Sequence, residues 1–77
     1  MIKTKDLVGV IEDILKEIEL PFPFYPFCDL VAMRLNRKAL NHYTRQFIRS
    51  YLESMGYKIK RGIFRNKSRI CIIREGV

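Results

Sequence analysis

At 77 residues the chain has room for one small core that buries roughly 60–65% of its unfolded surface, which excludes a second domain or a large cofactor cavity. Apolar residues make up 48%, too many for a disordered chain, and no apolar run reaches the roughly 18 residues of a membrane-spanning helix. The net charge of +7 is unevenly divided: residues 1–31 carry 3 basic and 6 acidic side chains, whereas residues 32–77 carry 12 basic and 2 acidic, so the surface is polarised and its basic part calls for a polyanionic partner.

The first predicted element is a helix over 5–20. Leu7, Val10, Ile11, Ile14, Leu15 and Ile18 recur at i, i+3, i+4, i+7, i+8 and i+11, which is one helix face. Glu12, Asp13, Glu17 and Glu19 form its solvated outer surface. Thr4 is placed to cap it, Asp6 suits its first turn, and Pro21 prevents its continuation. Gly9, which lowers helix propensity by about 1 kcal/mol, offers a point for close backbone approach by a neighbour. The charges of Asp6, Glu12 and Asp13 argue against a signal peptide, and a cytoplasmic, intracellular protein is expected.

Pro21, Pro23 and Pro26 interrupt an aromatic segment, Phe22, Phe24, Tyr25 and Phe27, that is predicted to lack regular structure. Pro26 then opens a second helix over 26–35, which gives Phe27, Leu30, Val31 and Leu35 to the core and stops at a left-handed Asn36. A third helix over 41–55 has Asn41 as its N-cap, an apolar stripe of Thr44, Phe47, Ile48, Tyr51, Leu52 and Met55, and Gly56 as its terminator. From Tyr57 the period becomes two. A strand over 57–64, a turn at Arg65, Asn66, Lys67 and Ser68, and a returning strand over 69–74 complete one domain spanning 1–77, with Arg61 interrupting the alternation. Cys28 and Cys71 lie in apolar runs and are too few for a disulfide scaffold, so both are expected as buried thiols.

Three helices followed by a hairpin, with the run Tyr51-Leu52-Glu53-Ser54-Met55-Gly56-Tyr57-Lys58-Ile59-Lys60 at their junction, resemble a winged helix-turn-helix DNA-binding domain. The residue-level resemblance is strongest over 47–60. It implies an α+β fold in which the third helix is the recognition helix and a C-terminal two-stranded hairpin, 57–74, is the wing. One departure stands out: Ala32 is followed four residues later by Asn36 rather than glycine, and then by Arg37. The connection to the third helix is therefore expected to be longer than the usual tight turn, with Leu40 anchoring it in the core.

The resemblance implies that Asn41, His42, Arg45, Gln46 and Arg49 face base edges in the major groove of double-stranded DNA. Arg37, Lys38, Lys58, Lys60, Arg61, Arg65, Lys67 and Arg69 are candidates for phosphate contact, six of them in the twelve positions 58–69. The bland readings are a solvated helix face and lysine-protected strand edges, but neither calls for so many cations beside one acid, Glu53. Phe22, Phe24 and Tyr25 either plug the core or form a homodimer interface. A lone histidine, two cysteines 43 residues apart and the lack of a glycine-rich phosphate loop give no metal site, cofactor, small-molecule ligand or enzyme chemistry. The expected role is sequence-specific DNA binding by a small transcriptional regulator. A protein-interaction module or subunit of a larger nucleoprotein complex whose basic face docks an acidic partner, and RNA binding, are the alternatives.

Overall fold

The computed structural model describes residues 2–74. Its elements are α1 (Thr4–Glu17), β1 (Phe22–Pro23), α2 (Phe24–Arg34), α3 (His42–Ser54), β2 (Tyr57–Phe64) and β3 (Lys67–Arg74). This is an α+β architecture, but its antiparallel sheet has three strands in the order β1-β3-β2 rather than the two expected. The extra strand comes from the proline-rich segment that was expected to be irregular: Phe22 pairs with Ile72 and Pro23 with Cys71. Proline lacks an N–H, yet it is tolerated on an edge strand, and β1 is an edge.

Prolines also set the helix limits. Helix α1 ends at Glu17 rather than 20, because the ring of Pro21 clashes with the carbonyl four residues back in any continued helix. Ile18 is already extended, and the Leu20–Pro21 peptide is cis. The capping residue is Lys3, without a side-chain bond, and Thr4 lies inside the helix. Helix α2 starts at Phe24, two residues before Pro26. The first N–H groups of a helix have no intrahelical partner, so proline in the first turn loses nothing there. At its other end Asn36 adopts φ 62°, with Asn36 N–H donating to Met33 O (3.1 Å) and Arg37 N–H to Ala32 O (2.9 Å), a Schellman closure. Gly56, at φ 97°, ends α3 as expected.

The core is assembled from Leu7, Ile11 and Ile14 of α1, Phe24, Phe27, Cys28, Val31 and Ala32 of α2, Leu40 of the connection that follows, Ile48 and Leu52 of α3, and Ile59 and Ile72 of the sheet. No polar or charged side chain is buried among the described residues. Leu40 anchors the connection into α3, as the spacing required. Gly9, in contrast, is exposed with no neighbour within 4 Å of the position a Cβ would take, so it serves no close approach.

The β2–β3 ladder runs without interruption from Tyr57↔Arg74 to Phe64↔Lys67 and closes in a two-residue turn, Arg65 (φ 51°) and Asn66 (φ 64°). Two successive left-handed residues make this a type I′ turn, whose twist matches that of the strands. Lys67 and Ser68 therefore belong to β3 and not to the turn. Residues 57, 59, 61 and 63 share one face of β2 by their period of two. Ile59 is buried, but Arg61 and Ile63 are exposed, Ile63 by 74%. The far half of the hairpin projects beyond the core, which is why the apolar alternation breaks at Arg61.

Candidate nucleic-acid interface

Helix α3 presents its polar face outward because Ile48 and Leu52, with Thr44 and Tyr51 beside them, face the core. Asn41 is its N-cap: the side-chain oxygen accepts from Thr44 N–H at 2.8 Å. Arg45 is half-buried and donates through Nη1 to the Leu40 carbonyl, so it holds the turn that precedes its own helix. Arg49 reaches across to β2, with Nη2 3.5 Å from the Ile59 carbonyl, and its Nε lies 3.8 Å from Glu53 Oε2. Three of the five candidate base-facing side chains thus have work within the fold. His42 and Gln46 are exposed, and the His42 ring meets Tyr43 edge-on at 5.9 Å.

Sequence reasoning passed over Tyr43 and Ser50. Tyr43 is 82% exposed, the most exposed large apolar residue among those described, and with Gln46 and Ser50 it forms a row at i, i+3 and i+7 on the outer face. The signal was present in the apolar stripe of α3, which runs through Thr44, Ile48 and Leu52 and leaves position 43 on the far side.

The phosphate candidates Arg37, Lys38, Lys58, Lys60, Arg61, Arg65, Lys67 and Arg69 are all exposed. Arg37 and Lys38 lie in the connection before α3, Lys58, Lys60 and Arg61 on β2, and the rest on the turn and β3. Glu53 is the only acid between residues 30 and 74. Among the described residues no carboxylate lies within ion-pair distance of Arg61, Arg65, Lys67 or Arg69. Arg61 Nη1 donates to Ser68 Oγ across the ladder at 3.3 Å, and the guanidinium of Arg65 lies over the Phe64 ring at 5.3 Å. The contact of α3 with β2 through Arg49 joins the helix to this hairpin.

The acidic part of the chain is tied up differently. Glu17 of α1 pairs with Arg34 of α2, a contact that holds the Glu17 carboxyl below its ordinary value and the guanidinium above its own. Glu12 accepts from the Tyr51 hydroxyl at 2.6 Å, which raises the phenol above its usual range. Of the three candidate interface aromatics, Phe24 is a core residue at 5% exposure and cannot face a partner. Phe22 is half-buried and Tyr25 is exposed. Among the described residues no group of three or more His, Cys, Asp or Glu could hold a metal ion, and no helix is long and apolar enough to cross a membrane.

Comparison of the chain with protein-family models, with curated proteins and with solved structures found no match.

Proposed function

We propose that this chain is a winged-helix domain that binds double-stranded DNA, with the outer face of α3 in the major groove and the basic hairpin along the phosphate backbone, and that it acts as a small transcriptional regulator. The observation that carries the reading is the far half of the hairpin: it extends past the core, its exposed Arg61, Arg65, Lys67 and Arg69 have no carboxylate within ion-pair distance among the described residues, and the hairpin adjoins α3 through Arg49. A surface of this kind repels itself unless a polyanion covers it. The width of a major groove admits a helix, and the side chains exposed to enter it are His42, Tyr43, Gln46 and Ser50. Arg45 acts on the fold instead, by fixing the Leu40 carbonyl.

Fluorescence anisotropy with labelled duplexes tests this. Engagement of 5–8 phosphates gives log K a slope of roughly −4.5 to −7 against log salt. On a sequence selected from a random library, Gln46→Ala weakens binding by about 1–3 kcal/mol while affinity for random duplex is unchanged. Arg45→Ala weakens all duplexes alike and lowers stability. A protein that ignores duplex DNA at about 50 mM salt does not have this function.

A further inference from the structure

Beside the hairpin runs a groove of about 450 Å³. Its apolar wall is Phe22, Pro23 and Pro26, from β1 and the start of α2, together with Phe64 at the end of β2. Its charged wall is Arg65, Lys67 and Arg69. The ladder explains the grouping. Gly62↔Arg69 and Phe64↔Lys67 are opposed pairs, and opposed residues of an antiparallel pair share a face, so Phe64, Lys67 and Arg69 project together. Strand β1 covers the central strand only at Cys71 and Ile72, which leaves positions 67–70 without a strand on that side, and the groove lies along this stretch. Two aromatic rings distant in sequence meet here: Phe22 stands edge-on to Phe64 at 6.1 Å.

We propose that this groove takes an unpaired DNA strand that leaves the bound duplex, with a base against the Phe64 ring and phosphates at Arg65, Lys67 and Arg69. The assignment rests on the reading of the hairpin as a DNA surface. Sequence-tolerant binding of single strands combines a cationic track with aromatic faces on which bases stack, and both are present within one groove. The face of Phe64 is reachable by a planar group from solvent, since the guanidinium of the exposed Arg65 already lies over it. Duplex backbone would use the cations and leave the aromatic wall unexplained, and so would an acidic peptide.

The test compares labelled oligothymidine of about 12 nucleotides with a flush duplex of the same length. Phe64→Ala weakens oligothymidine binding by roughly 5- to 100-fold and changes duplex binding by less than about twofold. Because the chain contains no tryptophan, Phe64→Trp introduces a single indole, which retains oligothymidine binding and whose emission is quenched at saturation. Circular dichroism of both variants matches that of the parent. Equal loss on both DNAs, or an indole emission that oligothymidine leaves unchanged, overturns the assignment. Duplex bound and oligothymidine ignored overturns it as well, while leaving the duplex reading intact. Oligothymidine bound without any affinity for duplex instead overturns the duplex reading and supports the groove.

Discussion

Cys28 is the residue whose chemistry the fold alters most. Its side chain lies in the core between α2 and its neighbours, and burial pushes the thiol up to about 12 from an ordinary value of 9.0, with Arg45 opposing and Asp29 adding to the rise. A group whose folded pKa is raised contributes stability below its unfolded pKa, and that contribution is lost as the pH climbs through the folded value. The window is therefore about pH 9 to 12, far above the physiological range. The thiol is neutral and enclosed at pH 8, so the native protein reacts with a disulfide reagent only as fast as it opens. Thiol-release kinetics with and without urea check this, and a fast native phase assigned to Cys28 contradicts it. Arg45 makes the same point from the other side: a long cation on an outward-reading helix face was legible as a base contact, yet the carbonyl of Leu40 claims it. No single-residue pattern announces that, because the acceptor is a backbone group in a loop.

At the scale of elements, the hairpin turn carries a contradiction between local preference and content. Both turn residues need φ above zero, which favours Asn and Gly, and Asn66 fits while Arg65 does not. A non-glycine residue held left-handed costs about 1–2 kcal/mol, less for asparagine. Arg65→Asn is accordingly expected to stabilise the protein by about 0.5–1 kcal/mol in urea unfolding and to weaken DNA binding in the same preparation. A variant that gains stability and keeps full affinity shows that the cation at the turn has no role in binding. The helices were readable from their apolar periods to within a few residues. Their ends were displaced where proline acted through the helix geometry: Pro21 reached back to Glu17, and Pro26 was accepted in the third position of α2.

At the scale of the whole molecule, charge is segregated onto separate surfaces. Helix α1 directs acids to α2 and α3 through Glu17–Arg34 and Glu12–Tyr51, whereas Arg61, Arg65, Lys67 and Arg69 are exposed on the far half of the hairpin beyond the core. The homodimer expectation shifts accordingly, since Phe24 belongs to the core and Tyr25, in the first turn of α2, is the exposed aromatic of that segment. A dimer built there buries Tyr25. Tyr25→Ser then moves the elution volume of concentrated protein to that of a monomer, and an unchanged volume removes the start of α2 from any interface. Phe24→Ser cannot serve, because a serine in the core destabilises by several kcal/mol on its own, about 3–5 for loss of a buried phenylalanine.

Local information settled the three helices, the capping by Asn41, the stops at Asn36 and Gly56, the anchoring by Leu40, the burial of both thiols and the basic character of the second half. Each is decided by side chains within a few positions, through periodicity, turn conformation or a short-range hydrogen bond. Tertiary structure alone decided the third strand, the inward duties of Arg45 and Arg49, and the meeting of Phe22 with Phe64. Those depend on which backbone groups and rings arrive from 5 to 50 residues away. The edge of β3 found a partner at Cys71 and Ile72 in a proline segment because an edge strand tolerates a residue without an N–H, and that pairing carried Phe22 to the hairpin.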